Sequence, residues 1–164
     1  MMKLLTYLAA LTTTGLSAGL FFAWSFSVTP GLARIPDAAY IAAMQSMNRA
    51  ILNPTFFVVF MGPLFLLPLS TYLSYTGSGS LRFWILAAAA VAYVVGVFGI
   101  TMAGNVPMNE ALDAFHLNSA TAEQIAARRA AFEGRWVYLN NIRTAFAALS
   151  LILGLAALVL PSSK

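Results

Sequence analysis

Four long apolar stretches constrain this chain more than any other feature of its sequence. They cover approximately residues 4–28, 54–75, 82–104 and 136–160. A hydrocarbon core of about 30 Å needs roughly 20 helical residues, and each stretch reaches that length. None of them alternates between apolar and polar residues, and a backbone in lipid must satisfy its own hydrogen bonds, so we predict helices. The predicted fold class is an all-α membrane protein, a single four-transmembrane-helix bundle over residues 1–164.

Composition narrows the function classes. The chain is 60% hydrophobic and 9% charged, against about 25% charged residues in soluble domains, which indicates a surface facing lipid. The absence of cysteine excludes disulfides, thiolate metal sites and a cysteine nucleophile. One histidine, His116, excludes an all-histidine metal cage within one chain. No basic run is present, which argues against nucleic acid as a partner.

The connections between the stretches are unequal. The stretches 54–75 and 82–104 are joined by the short turn "TGSGS", whereas the other two connections are long and lie at the opposite end. The first long loop predicts a helix capped by Asp37, with an apolar stripe at helical spacing. The second predicts a helix started by a capping box of Thr121 and Gln124. We expect both to be short interfacial helices, or to cover the mouth of the bundle. The stripe residues, for which we expect packing, are Tyr40, Met44, Met47 and Ile51.

Small residues and prolines mark places where helices pack closely or bend. Gly15 and Gly19 form a small-xxx-small pair in the first stretch, which favours close helix packing. The small residues of the third stretch predict the same there: Gly96, Gly99, Ala103 and Gly104. Pro63 and Pro68 are expected to kink the second helix. Pro107 disfavours the α conformation in the residue before it, so we predict that the third helix is broken or kinked there.

The sequence leaves the orientation in the membrane ambiguous. Lys3, Arg82 and Lys164 lie at the short-loop end, and a larger number of arginines lie at the long-loop end. A count of basic residues would place the long loops in the cytoplasm. Lys3 directly before the first stretch favours the opposite arrangement, and arginines recruited into a site would mislead the count. We favour an N-terminus inside, in a bacterial plasma membrane.

A group of polar side chains opens the fourth stretch, in "RWVYLNNIRTAF". Trp136, Asn140, Arg143 and Thr144 share one helical face. A charge at the depth of Arg143 costs about 2.5–3.5 kcal/mol by insertion scales unless it is paired or reaches the interface. Arg143 is therefore predicted to face the interior of the bundle, close to hydrogen-bond acceptors.

The end of the third stretch, "GNVPMNEALDAF", supplies candidate acceptors. Asn105 and Asn109 straddle the proline, and Glu110 and Asp113 follow them. The entrance to the second stretch adds two further amides at the same end, Asn48 and Asn53. Each feature also has a structural explanation: helix capping for the asparagines, an interhelical clamp for Arg143, interfacial anchoring for Trp136 and a solvated loop position for His116.

Four segments together resemble a known family. They are "GLFFAWSFSVTPGL", "MNRAILNPTFF", "GNVPMNEAL" and "RWVYLNNIRT". The N-x-P-x-N corner followed by W-x3-N-x2-R-T is similar to the family known as domain of unknown function 1772, or the anthrone oxygenase-like family. Some fungal members of that family insert oxygen into an anthrone to give an anthraquinone, whereas most bacterial members have no assigned activity. The resemblance thus implies an integral membrane oxidoreductase of the anthrone oxygenase type. The site residues that it implies are Asn105, Asn109, Trp136, Asn140 and Arg143.

Roles can be assigned to the residues if that chemistry applies. Arg143 with Asn105 and Asn140 would stabilise an enolate-like oxygen, and Asn109 is the fourth candidate catalytic residue. Trp136, Tyr40 and Tyr138 would provide aromatic contacts, with Asn48 and Asn53 nearby. The candidate bases are Glu110, Asp113 and His116. We predict no cofactor and no metal, because metal-ligand spacing is absent; a haem or metal held with one histidine, or shared across subunits, stays open.

Three functions follow as hypotheses. The first is oxidation by O2 of a flat aromatic, polyketide-like or quinol-like small molecule at the long-loop end. The second is a non-catalytic membrane module that assembles with itself or a partner, motivated by the glycine pair. The third is a small-molecule carrier, suggested by the kinked and broken helices. The expected partners are the lipid bilayer, a small apolar aromatic substrate and a second copy of the chain.

Overall fold

The computed structural model describes residues 1–77 and 79–160, so Ser78 in the short turn and Lys164 lie outside it. In these residues the chain forms five helices, one short 3-10 turn at Leu117–Ser119 and no strand. The predicted all-α membrane bundle is thereby confirmed. The helices are α1 (Met2–Leu32), α2 (Asp37–Ala50), α3 (Pro54–Leu73), α4 (Leu81–Asp113) and α5 (Ala122–Val159).

Four of these helices are long and apolar enough to cross a membrane. At about 1.5 Å per residue, α4 and α5 are each roughly 50 Å long or more, whereas the hydrocarbon core is about 30 Å thick. Large apolar side chains such as Phe65, Val91 and Ile152 are more than half exposed on the outside of the bundle. Such an apolar exterior fits lipid and not water, so the protein is an integral membrane protein.

The core lies where α1, α3, α4 and α5 meet. α1 packs on α3 and α5, and α4 packs on α3 and α5. Phe21, Phe60, Tyr93, Val97 and Ala147 are central members of this core. Toward the long-loop end, α2 packs across α5 and the last turns of α4 and covers the mouth of the bundle.

The helix starts follow their sequences, with one correction. Asn53 Oδ1 accepts a 3.0 Å hydrogen bond from the Phe56 amide at the start of α3. Thr121 and Gln124 form the predicted capping box at the start of α5. The cap predicted at Asp37 is wrong, because Pro36 occupies the capping position and Asp37 is the first helical residue. Its carboxylate instead accepts a 2.9 Å hydrogen bond from Arg129.

The predicted break in α4 at Pro107 is also wrong. The helix runs unbroken from Leu81 to Asp113 but contains two π-helical segments, Val94–Gly99 and Thr101–Asn105. A π turn shifts the hydrogen-bond register, and Pro107 comes two residues after that shift, where its missing N–H is tolerated. α1 contains a third π-helical segment at Trp24–Val28. α3 likewise continues through Pro63 and Pro68.

Close helix contact occurs at glycines other than the predicted pair. A Cβ on Gly19 would meet nothing within 4 Å, and one on Gly15 would lie at an ordinary 3.8 Å from Leu151. A Cβ on Gly154 would lie 2.5 Å from Leu11, and one on Gly96 would lie 2.1 Å from Phe146. A Cβ on Gly62 would lie 2.8 Å from Thr13. Tight contacts therefore join α1 and α4 to α5 and α3 to α1. The close packing predicted at Gly96 is confirmed, and that predicted at Gly15 and Gly19 is wrong within this chain.

A buried tyrosine links three helices in the middle of the bundle. The hydroxyl of Tyr93 donates to the Phe60 carbonyl at 2.9 Å and lies 2.9 Å from Ser17 Oγ. We expect Tyr93→Phe to lower the free energy of unfolding by about 1 kcal/mol, the typical net value of such a hydrogen bond. Thermal unfolding in detergent checks this, with Tyr72→Phe on the exposed surface of α3 as the matched control. Equal melting temperatures for the two variants would contradict the assigned role.

Candidate functional site

A cavity of about 560 Å³ lies at the long-loop end, between α1, the start of α3, the last turns of α4 and α5. This volume is within the range of about 300–1,000 Å³ that is typical of small-molecule sites. Its wall is largely apolar and includes six aromatic side chains, and its polar lining comes from Asn48, Thr101, Asn105, Asn109 and Arg143. Glu110, Arg49 and Asp113 add charge to the lining.

Arg143 is the central charge of the cavity. Its side chain is 6% exposed, and its guanidinium donates to Thr101 Oγ1 at 3.2 Å and to Asn140 Oδ1 at 2.8 Å. No carboxylate in the described part of the chain forms an ion pair with it. The guanidinium lies over the ring of Phe21 at 4.7 Å and that of Trp136 at 5.6 Å. Neutral acceptors and aromatic faces thus support the charge without neutralising it.

A hydrogen-bonded layer behind Arg143 fixes its position. Asn140 Nδ2 donates to Ser25 Oγ at 2.9 Å, and Ser25 Oγ lies 2.7 Å from Thr144 Oγ1. Thr144 also donates to the carbonyl of Phe21 or that of Asn140, each at 3.0 Å. Ser25 belongs to the π-helical segment of α1 and Thr101 to one in α4. The widened turns therefore carry the side chains that hold Arg143 and its partner, consistent with the frequent use of π turns at functional sites.

Three buried polar atoms of the lining have no hydrogen-bond partner in the residues described. They are Asn48 Nδ2, Asn105 Oδ1 and Arg143 Nε. Asn105 is 1% exposed, and its only contact of this kind is a long 3.5 Å approach of Nδ2 to the Trp136 carbonyl. An unsatisfied buried polar group costs about 1–3 kcal/mol. A ligand with both donor and acceptor atoms could satisfy these groups.

The tryptophan and the second asparagine of the corner contact each other. Trp136 Nε1 donates to Asn109 Oδ1 at 2.8 Å, and the Trp136 ring packs on Trp24 with centroids 5.2 Å apart. Phe56 and Phe60, which also line the cavity, stack in parallel at 5.3 Å. The lining thus includes two aromatic pairs, which suits a flat apolar molecule.

The structure separates the charged candidates. Asp113 is engaged with Arg49 at 2.6 Å, whereas Glu110 lines the cavity without an ion pair among the residues described. His116 is exposed in the turn after α4 and does not line the cavity. Of the three candidate bases, Glu110 is therefore the carboxylate best placed to meet a bound molecule.

Some predicted site residues lie elsewhere. Tyr138 is 64% exposed on the outer surface, and Asn53 is an exposed helix cap. Asn140 lies behind Arg143 and not on the cavity wall. Tyr40 is fully buried against Phe132 and below Arg129. Burial, and to a lesser degree Glu133, raises the pKa of the Tyr40 phenol above its usual range, so it is a neutral packing residue.

Sequence reasoning missed part of the site. Ser25, Thr101 and the aromatic wall were not predicted. Ser25 and Thr101 are polar residues inside the apolar runs "AWSFSV" and "GITMAG". A polar side chain within an apolar span is the sequence feature that could have indicated their place in the site. Gln45 was missed as well; it anchors α2 to the end of α4 by donating to the Leu112 and Phe115 carbonyls at 2.8 and 2.9 Å.

Comparison with known proteins gives one match. The family model described as anthrone oxygenase matches residues 56–153, which is 98 of the 164 residues. The matched part contains both the N-x-P-x-N corner and the W-x3-N-x2-R-T segment, whereas "GLFFAWSFSVTPGL" precedes it. Searches of curated proteins and of solved structures gave no match. Because the match covers more than half of the chain, the protein belongs to the anthrone oxygenase family.

Proposed function

We propose that the protein is a membrane oxygenase that binds a flat, weakly acidic aromatic ketone of the anthrone type and oxidises it with O2. Family membership supports an oxygenase-like function in a membrane. The observation that carries the finer proposal is the guanidinium of Arg143, buried in an aromatic cavity without a carboxylate partner among the described residues. Such a charge is suited to an oxygen that becomes negative during a reaction.

The lining suits this class of substrate. A tricyclic ketone would place its rings between the Trp24–Trp136 pair and the Phe56–Phe60 pair. Its carbonyl oxygen would accept from Arg143, and the unpartnered Asn105 Oδ1 would accept from a phenolic hydroxyl. Asn105 Oδ1 and Arg143 Nε are already buried without a hydrogen-bond partner in the free protein. Binding therefore adds hydrogen bonds at these atoms without a further desolvation cost.

The reaction balances without an additional reductant. Glu110 would take a proton from the methylene carbon of the ketone, and the electron pair would delocalise onto the carbonyl oxygen, next to Arg143. The carbanion gives an electron to O2, and the radical pair forms a C–O bond to yield a hydroperoxide, which takes up one proton. Loss of water then breaks the O–O bond and the remaining C–H bond. One ketone and one O2 give one quinone and one H2O.

Oxygen consumption by the purified protein tests the proposal. With anthrone as the probe, we expect O2 uptake and quinone absorbance to rise together in a one-to-one ratio, well above the spontaneous rate in empty micelles. With labelled O2, one labelled oxygen should appear in each quinone. A rate equal to that of empty micelles for anthrone and its hydroxylated analogues would refute the proposed activity.

The position of the cavity predicts how substrate reaches it. Leu52, Phe57 and Met102 line the cavity and are also 65%, 43% and 47% exposed, on the apolar exterior of the bundle. α3 packs on the first part of α4 but much more sparsely on residues 101–113, which leaves a lateral gap. We therefore expect substrate to enter from the bilayer. In proteoliposomes, Leu52→Trp should narrow this gap and lower kcat/KM for anthrone several-fold, whereas Leu155→Trp, on the apolar exterior away from the cavity, should leave it unchanged. Equal kcat/KM values for the two variants would contradict entry through this gap.

A further inference from the structure

We propose that a second site, at the short-loop end of the bundle, binds a phosphate-bearing anion. The site is a pocket of about 280 Å³ between the start of α1, the end of α3 and the start of α4. We call it the basic pocket, after Lys3 and Arg82 in its lining. It lies at the opposite end from the aromatic cavity and does not depend on the oxygenase proposal.

The basic pocket carries positive charge and has no acidic side chain among the described residues. All five acidic residues of the chain lie between positions 37 and 133, in the long-loop regions. The three ion pairs found in the described residues are likewise at that end. Arg82 lies over the ring of Tyr7 at 5.3 Å, and its Nε is buried with no hydrogen-bond partner among the residues described. A buried guanidinium donor without a carboxylate calls for an external anion.

A buried hydroxyl and a helix start add neutral donors. Ser70 lines the pocket, is 5% exposed, and its Oγ has no partner in the described part of the chain. α4 begins at this pocket, where Ser80 Oγ accepts from the Phe83 amide at 3.3 Å. The first amides of a 33-residue helix bring partial positive charge to the same place. Two basic side chains, one unpartnered hydroxyl and a helix N-terminus together match the oxygens of a phosphate group.

The ligand is either a lipid headgroup or a soluble phosphate. Leu4 and Leu73 also line the pocket, so acyl chains would continue along the apolar exterior of α1 and α3. The chemistry shared by the two sources is a phosphate with at least one negative charge. A matched set of probes separates them: dioleoyl phosphatidic acid, dioleoylglycerol with the same chains and no phosphate, and inorganic phosphate.

Thermal stability of the detergent-purified full chain, titrated with each probe, tests the proposal. We expect phosphatidic acid to raise the melting temperature saturably and dioleoylglycerol to leave it unchanged. Arg82→Gln should weaken the phosphatidic acid affinity by about tenfold or more, the effect of losing a charge-assisted hydrogen bond. Arg34→Gln, an exposed arginine at the long-loop end, is the control and should retain the affinity. If inorganic phosphate also raises the melting temperature, the phosphate group alone is sufficient for binding. If only phosphatidic acid raises it, the ligand is a lipid.

Ser70→Ala keeps the proposal testable if Arg82→Gln folds poorly. Removing an unpartnered buried hydroxyl should leave the stability of the ligand-free protein unchanged or higher, while the affinity for phosphatidic acid falls several-fold. If Ser70 had a structural role instead, Ser70→Ala would lower the stability of the ligand-free protein and leave the affinity for phosphatidic acid unchanged. Equal affinities of wild type, Arg82→Gln and Ser70→Ala, or equal stabilisation by phosphatidic acid and dioleoylglycerol, would overturn the site.

Discussion

Replacing Arg143 with glutamine should lower the protein-dependent oxidation of anthrone by about 10²–10³-fold, the usual cost of removing one donor to a developing oxyanion. Glutamine retains an amide that can bond Asn140 or Thr101 but removes the charge beside the substrate oxygen. The loss should appear mainly in kcat, because the charge interacts more strongly with the anionic intermediate than with the neutral ketone. Initial rates of O2 uptake across a range of anthrone concentrations measure both constants.

Two variants make the Arg143 result specific. Arg143→Lys keeps the charge but loses the planar fork that reaches Thr101 and Asn140 together, so an intermediate rate is expected. Arg135→Gln removes an exposed arginine of the same helix that does not line the cavity, and should retain the wild-type rate. Unchanged kcat in a folded Arg143→Gln protein would remove Arg143 from the reaction.

The same residue also distinguishes an enzyme from a structural clamp. Arg143 joins α4 and α5 through Thr101, and Asn140 joins α5 to α1 through Ser25. A pure clamp predicts that Arg143→Gln lowers the melting temperature and that no aromatic ketone or quinone shifts it in either protein. A site predicts that anthraquinone stabilises the wild type and loses that effect in the variant. Melting curves with and without anthraquinone therefore separate the two functions independently of turnover.

The arrangement of the bundle could be predicted because lipid imposes it. Apolar length decides which segments span, and capping residues such as Thr121 and Gln124 act locally, so both are visible in the sequence. The sequence also predicts that Asn105, Asn109 and Arg143 lie at the same end of the bundle, because the third stretch ends and the fourth begins there, and all three line the cavity. These features depend on local signals or on the order of the spans.

What could not be predicted depends on the backbone register and on helix neighbours. Pro107 disfavours the α conformation at Val106 and so indicates a helix break, yet the π turn that precedes Pro107 keeps α4 continuous, and Thr101 and Asn105 are buried. An interpretation of hydrophobic spacing assumes a regular α-helix, so it does not reveal the shift in hydrogen-bond register that a π turn introduces. Tyr40 and Tyr138 were chosen as aromatic contacts from their position in the chain, but only the packing of α2 and α5 decides which rings reach the cavity.

Gly96→Ala should be the most destabilising single-methyl addition in the bundle. A Cβ there would lie 2.1 Å from Phe146 Cγ and 2.6 Å from Phe146 Cβ, and the second of these atoms is fixed to the backbone of α5. Rotation of the phenylalanine ring cannot relieve that contact, so α4 and α5 must move apart. Overpacking of this kind costs about 1–3 kcal/mol, and we expect the upper end of that range.

Gly19→Ala is the matched control, because a Cβ on Gly19 would meet nothing within 4 Å. It should leave stability unchanged or raise it by up to about 1 kcal/mol through helix propensity. The double variant Gly96→Ala/Phe146→Ala should recover part of the lost stability. It removes the clash with the phenylalanine ring, but the Cβ of the new alanine still lies close to the Cβ at position 96. Thermal unfolding of the four proteins in one detergent gives the comparison. If Gly96→Ala and Gly19→Ala had the same melting temperature, α4 and α5 would not be in close contact at Gly96. The position of Arg143 between these helices depends on that contact.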